Sequence, residues 1–577
     1  MSMVTLTIDG QTVQAEAGTT ILEAARQAGI NIPSLCYLKD INEIGACRVC
    51  VVEVKGAKAL QASCVTPVGE GMEIRTNSPA VRASRRTTVE LLLSNHPREC
   101  LTCVRNLNCE LQSLAESLGI RDIRFEGEMS RHPVDESTPS LVRDPRKCIL
   151  CRRCVAVCDK VQGVRAIAPQ ERGFDSVIAP ACEQPLSEVA CALCGQCVLV
   201  CPTGALAERD DTAKVWRALA DPAKHVVVQT APAVRVAIGE PFGMKPGSVS
   251  TGKLVAALRR LGFDRVFDTD FTADLTIMEE GHELIKRLQT GGTLPMITSC
   301  SPGWIKFIEH FYPDLLPHLS TCKSPQQMFG ALAKTYYAQK AGIDPENIVS
   351  VSIMPCTAKK FEAGRPEMRD SGTQDVDIAL TTRELARMIR EAGIAFEDLP
   401  EEEYDAPLGL STGAAVIFGA TGGVMEAAVR TAYEVLTGKP LPDINLTAVR
   451  GMEGIKEAAV EVDGTTIKVA VAHTLGNARK VLDLIKAGKA DYHFVEVMCC
   501  PGGCIGGGGQ PIPTDTDIRQ QRIAGIYTAD ERMTLRKSHE NPAVQQLYKE
   551  FLGEPLGHKS HELLHTHYTT RGKYGNR

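Results

Sequence analysis

Two stretches, CILCRRCVAVC (148–158) and CALCGQCVLVCP (191–202), repeat one spacing, C-x2-C-x2-C-x3-C. A double match of this kind is not accidental, and it points to thiolate-bound metal. The amino terminus, MSMVTLTIDGQTVQAEAG, has no basic segment leading into an apolar core, no twin arginine and no small-residue cleavage site. No stretch reaches the roughly 18 apolar residues of a membrane span, so the expected location is cytoplasmic. A reducing compartment disfavours disulfides, which leaves metal or redox chemistry for the 22 cysteines. With 577 residues the chain divides into about three to five domains. A net charge of −6 gives no electrostatic case for nucleic acid or an anionic membrane.

The repeats resemble the bacterial two-[4Fe–4S] ferredoxin, in which three cysteines of each loop hold one cube and the fourth reaches the other. Cys148, Cys151, Cys154 and Cys201 are then expected to share one cluster, and Cys158, Cys191, Cys194 and Cys197 the second. Cys182 is left over and is expected as a small buried apolar residue. Upstream, Cys36, Cys47, Cys50 and Cys64 sit among short alternating strand runs, with Gly45 in a loop that must approach a cluster. This resembles the [2Fe–2S] module of plant-type ferredoxins; a structural zinc fits the β-rich setting and long first loop less well. His96, Cys100, Cys103 and Cys109 could hold zinc or a cluster by spacing alone. Their place between ferredoxin-like modules favours a cluster, and the order resembles the start of the large iron–sulfur subunit of respiratory complex I, where such residues bind [4Fe–4S]. The expected domains are a [2Fe–2S] domain at 1–79, a module of one histidine and three cysteines at 80–125, a two-cluster domain at 126–210 and a catalytic domain at 211–577. The first three pass single electrons, so the catalyst lies downstream.

From about residue 211, apolar runs alternate with helical patterns: KHVVVQTAP, RVFDTD, LPMITSC, IVSVSIMPC, VDIALTT, IKVAVAHT and YHFVEVMCC. Three end in cysteine, and open α/β sheets bind ligands at the carboxyl ends of their strands. Cys300, Cys356 and the Cys499/Cys500/Cys504 group are therefore expected in one cleft. TSCSPGW (298–304), MPCTAKKFE (354–362) and EVMCCPGGCIGGGGQ (496–510) resemble, in order, the three signature loops of [FeFe]-hydrogenases. The resemblance extends along the whole chain. It implies a multidomain α+β protein: a β-grasp ferredoxin-like module, a small His/Cys module, a bacterial-ferredoxin module and a large two-lobed α/β catalytic domain. The implied reaction is H2 oxidation and proton reduction at an H-cluster, a [4Fe–4S] cube joined to a two-iron subsite with CO, cyanide and a dithiolate.

Carried over by motif position, Cys356, Cys500 and Cys504 are cube ligands, with Cys504 bridging to the two-iron subsite. Lys359 would meet a cyanide that supplies its buried anionic partner, and Met354 and Met498 would wall the pocket. Protons would pass by Cys300, Glu280, Ser320 and Glu283 to Arg287 at the surface. Glu280, Glu283 and Arg287 share one helix face, which is otherwise an ordinary charged stripe. FGATGGVMEAAVR (418–430) matches neither a dinucleotide nor a Walker pattern and reads as a helix start near the site, with Phe418 beside it. Gly506–Gly509 are expected to approach the cluster and turn with positive φ.

The chain departs from the family at two places: Ser301 stands where a cube ligand is usual, and Cys499 where alanine is usual. Ser301 could bind iron through oxygen, Cys499 could supply the fourth ligand, or Cys300 could bind while Cys499 carries protons. Two other functions compete: a non-catalytic subunit of a complex I-like assembly, which leaves the three loops unexplained, and a hydrogen sensor, which should carry a signalling domain. The front modules and the ending RKSHENPAVQQLYKEFLGEPLGHKSHELLHTHY are most similar to the hydrogenase subunit of multimeric NAD(P)-linked enzymes, including electron-bifurcating ones. Expected partners are flavin/NAD(P)-binding and small [2Fe–2S] subunits, with ferredoxin as an alternative.

Overall fold

The structure is a computed structural model and describes residues 2–462 and 465–573. Its amino-terminal module is a five-stranded mixed sheet ordered Gln11–Glu16, Met3–Ile8, Glu73–Arg75, Val51–Val54, Gln61–Ala62. Alternation puts Leu6, Ile8, Val13 and Ala15 on one face, where helix Ile21–Gln27 buries Ile21, Leu22, Ala24 and Ala25 against them. Thr20 caps that helix by accepting the Glu23 N–H. Helix Pro79–Ser94 leads into the segment that carries His96 and its three cysteines, and paired strands Leu141–Arg143 and Leu206–Glu208 frame the two cysteine repeats.

All seven apolar runs of the carboxyl-terminal half form strands, in two four-stranded sheets. The first is parallel throughout, ordered Arg265–Asp268, His225–Thr230, Ile348–Met354, Ile378–Thr381. The second is ordered Met296–Ile297, Phe494–Met498, Thr465–His473, Ile455–Val462, with only the last pair antiparallel. Strand Ile455–Val462 is an edge whose side chains alternate between exposed and half-buried from Glu457 onward, with only Lys456 buried, so its apolar signal is too weak to predict. Parallel pairing sends strands of each sheet in the same direction, and loops 298–301, 355–357 and 499–509 leave together at their carboxyl ends.

Cys182 contradicts its expected burial. It is exposed, in a surface turn after Pro180 with φ of +54°, where no core exists to cover it. The last 60 or so residues wrap the catalytic lobes: Lys323 N–H donates to Leu564 O, and helix Thr516–Arg532 packs on helix Gly413–Val416.

Candidate active site

All 22 cysteines are free thiols. Cys36, Cys47, Cys50 and Cys64 face one another: Cys47 N–H donates to Cys36 Sγ at 3.5 Å, and contacts from Cys47 and Cys64 push the Cys36 thiol far down. Gly45 stands at φ +61°, in the left-handed region. Cys148, Cys151, Cys154 and Cys201 line one small apolar cavity, and Cys158, Cys191, Cys194 and Cys197 line another. Each cavity is thus lined by three cysteines of one repeat and the fourth of the other. Burial, then the neighbouring thiols, raise Cys158 to about 12. A buried ring of thiols without a disulfide fits a bound cluster, whose iron offsets the charge.

His96, Cys100, Cys103 and Cys109 line one cavity of about 780 Å³. His96 Nδ1 is buried without a hydrogen-bond partner, and burial first, then Lys147, lowers the ring to about 4. A neutral imidazole with a free nitrogen is fit for a metal. The cysteine sites are joined through backbone. Asn42 Nδ2 donates to both Cys36 O at 2.7 Å and Cys151 O at 3.0 Å, and Glu110 N–H, next to Cys109, donates to Pro202 O at 3.0 Å. The Cys148/Cys151/Cys154/Cys201 site is thus a junction of two branches.

The second ferredoxin loop is seated on the catalytic loops. Thr357 Oγ1 donates to Leu193 O at 2.7 Å and Gln196 Nε2 to Gly506 O at 2.9 Å. A Cβ on Gly508 would stand 2.3 Å from Cys194 O, one on Gly507 2.2 Å from Pro355 O, and one on Gly506 2.0 Å from Pro501 O. Close approach is what the run Gly506–Gly509 needs. The expected positive φ lies instead at Gly502 (+76°) and Gly503 (+93°), where the loop turns back on itself.

Cys300, Cys356, Cys500 and Cys504 converge between the lobes. Cys300, Cys356 and Cys504 keep accessible surface although protein encloses them, so they line an internal space. Burial, then Cys500, pushes Cys504 up to about 12. Met354, Met498 and Phe418 are buried, the last two in the core that also takes in Cys300 and Cys504. Phe418 precedes helix Gly423–Thr437, which starts against the third loop: Thr421 N–H donates to Gly502 O at 3.0 Å. Lys359 Nζ donates to Cys300 O at 3.2 Å, Ser324 Oγ at 2.8 Å and Glu362 Oε2 at 2.8 Å. Glu362 is thus an anionic partner of Lys359 within the chain itself, which the motif comparison did not name; its spacing of three from Lys359 on one helix was the available signal.

Helix Thr269–Thr290, capped by Asp268, carries Glu280, Glu283 and Arg287. Ser320 Oγ donates to Glu283 Oε2 at 3.2 Å, and Glu283 Oε1 accepts from Arg287 at 2.6 Å. Burial raises the Glu280 carboxyl to about 8, against a hydrogen bond with Ser320 that lowers it. Arg287 is not at the open surface as expected: its side chain is 13% exposed, because the guanidinium also donates to Leu319 O at 2.7 Å. Three groups escaped sequence reasoning. Cys322 is buried 3.8 Å from Glu283; His565, from the carboxyl-terminal wrap, meets Thr321 Oγ1 at 2.8 Å and Glu279 at 3.1 Å; Glu496 accepts the Gly422 and Met425 N–H groups. Each depends on contacts between segments distant in sequence, which no local pattern signals.

Comparison with known proteins bears on the same regions. The family described as iron only hydrogenase large subunit, C-terminal domain, matches residues 224–508, and iron hydrogenase small subunit matches 516–571. A 2Fe-2S iron-sulfur cluster binding domain matches 1–79, the NADH-ubiquinone oxidoreductase-G iron-sulfur binding region 85–124, and a 4Fe-4S dicluster domain 128–205. The chain is 54% identical to the NADP-reducing hydrogenase subunit HndD of Solidesulfovibrio fructosivorans, over 99% of this chain and all of that one. It is 44% identical to iron hydrogenase 1 of Clostridium pasteurianum, over 98% and 100%. A solved apo [FeFe]-hydrogenase from Chlamydomonas reinhardtii superposes with a TM-score of 0.56 at 51% identity, covering 62% of this chain and 99% of that one. With its iron–sulfur modules and its H-cluster domain, the chain belongs to the [FeFe]-hydrogenase family.

Proposed function

We propose that Cys356, Cys500 and Cys504 hold the cube of the H-cluster, Cys504 being the sulfur shared with the two-iron part, and that protons move between Cys300 and Arg287 through Glu280, Ser320 and Glu283. The enzyme catalyses H2 ⇌ 2 H⁺ + 2 e⁻, and when bound the cluster supplies the iron at which H2 is split or formed. The chain's own groups do the rest. The observation that carries the proton route is the contact series from Ser320 through Glu283 to Arg287 beside a Glu280 that keeps its proton near neutral pH. Lys359, paired with Glu362, gives its other two N–H groups to the Cys300 carbonyl and Ser324 Oγ and so fixes the first loop, and Met354, Met498 and Phe418 exclude water around the cavity. Infrared spectroscopy of the matured chain tests this reading: bands of iron-bound CO and cyanide are expected, and their absence after maturation sinks it.

Electrons would leave by the Cys158/Cys191/Cys194/Cys197 cluster and then the Cys148/Cys151/Cys154/Cys201 junction. Replacing Cys201 by Ser is expected to disturb the second cluster and spare the first, read by EPR of the reduced chain; loss of the first instead would overturn the crossed assignment. The Solidesulfovibrio relative is an NADP-reducing hydrogenase subunit, which supports delivery to NAD(P) within a multi-subunit assembly; flavin-binding and small [2Fe–2S] subunits are the partners proposed for that delivery. Copurification from the native host with H2-dependent NAD(P) reduction is expected; isolation of the chain alone, reducing only ferredoxin, would favour the ferredoxin-linked reading. No helix among the described residues is long and apolar enough to cross a membrane.

A further inference from the structure

A [4Fe–4S] cube takes four ligands, and the cavity between the lobes offers three unambiguous thiols, Cys356, Cys500 and Cys504. The fourth must come from Cys300, Ser301 or Cys499. Ser301 and Cys499 sit on opposite loops yet meet directly: the Cys499 N–H donates to Ser301 Oγ at 3.3 Å. The position that lacks a thiol and the position that gains one are therefore the same place in the molecule. Cys499 is buried, and its sulfur faces both Cys500 and Cys194. Room for that sulfur is provided at Gly303, where a Cβ would come within 2.7 Å of Cys499 Sγ. Cys300 is held elsewhere. Lys359 fixes its carbonyl, and its thiol lies in the field of Glu280 and Cys504 at the start of the proton route. Ser301 already accepts a backbone hydrogen bond, and an alcohol oxygen is a poorer match to cluster iron than a thiolate.

We infer that Cys499 supplies the fourth thiolate of the cube, with Ser301 as a positioning residue that holds the Cys499 backbone and Cys300 left as the proton carrier. The inference rests on Cys356, Cys500 and Cys504 being the other three ligands. On binding iron the Cys499 thiol gives up its proton to solvent, as metal-bound thiolates do. Because the same sulfur faces Cys194, the ligand shells of the cube and of the nearest accessory cluster touch without an intervening side chain.

The test uses the full chain, prepared anaerobically without the two-iron part, so that only cubes and the [2Fe–2S] cluster are counted. Cys499→Ala is expected to lose up to about four iron atoms per chain and one reduced [4Fe–4S] EPR component. Cys499→Ala combined with Ser301→Cys should regain both, since the thiol returns on the other side of the same hydrogen bond, and Cys300→Ala should keep both. A Cys499→Ala chain with full iron and an unchanged spectrum overturns the inference, as does a loss that Ser301→Cys cannot repair. Cys500→Ala is the control: if it too keeps all its iron, the assignment of the cavity has failed rather than the role of Cys499.

Discussion

Replacing Glu280 by Gln is expected to slow H2 oxidation and proton reduction together by about 10²–10⁴-fold, the usual worth of a positioned acid–base group. Gln keeps the size and a hydrogen bond to Ser320 but cannot carry a proton through a carboxyl. Iron content and accessory-cluster EPR should not change, which separates loss of proton transfer from loss of cofactor; turnover within a factor of two of the parent would remove Glu280 from the route. The variant also has a stability signature. Burial raises the Glu280 carboxyl from 4.5 to about 8 in the folded chain. The folded state therefore holds a proton that the unfolded chain has released between those values, and the parent loses stability as pH rises through that window. Gln has no such dependence. The denaturation midpoint of Glu280→Gln should gain on the parent from pH 5 to pH 8, and a gain in the opposite direction would contradict the buried, protonated state.

Arg430→Met is expected to have the largest effect on stability. Arg430 is fully buried and pairs with Glu426 at 2.7 Å and Asp530 at 2.9 Å, joining helix Gly423–Thr437 beside the cavity to helix Thr516–Arg532 of the carboxyl-terminal wrap. Removing one partner of a buried ionic group costs about 3–5 kcal/mol, because the charges left behind are uncompensated. Here each carboxylate retains a second arginine, Arg450 on Glu426 and Arg536 on Asp530, so the low end, about 3 kcal/mol, is expected. Chemical denaturation followed by protection of helix Thr516–Arg532 from hydrogen exchange measures it. Exchange in that helix should rise before the sheets open, and a variant with parental protection would show that the wrap is held by apolar packing instead.

Legibility in the sequence follows the range of the interactions. Strand runs such as KHVVVQTAP and IVSVSIMPC are readable because parallel strands, covered on both faces, carry unbroken apolar stretches. The crossed cysteine groups are readable because the repeat sets ligand geometry within a dozen residues. What escaped is assembled from afar, as where His565 reaches Glu279 across 286 residues. Glu362 is the exception, passed over although it stands three residues from Lys359. Cys182 misled for the converse reason, since residue type suggested burial but a turn after Pro180 gave it nothing to bury against. Arg287 likewise ended half-buried, because carbonyls of the 317–319 segment close over its guanidinium.

The bare contact of Gly508 with Cys194 O limits how far either loop can be altered alone. A loop holding an electron carrier and a loop holding the catalytic cavity share a wall one glycine thick, with no side chain between them to absorb movement. Any side chain at Gly508 would drive the Cys194 backbone and the segment from Cys500 to Gly509 apart. Wiring and catalyst are then not separately replaceable parts: a change in one loop at this point displaces the other.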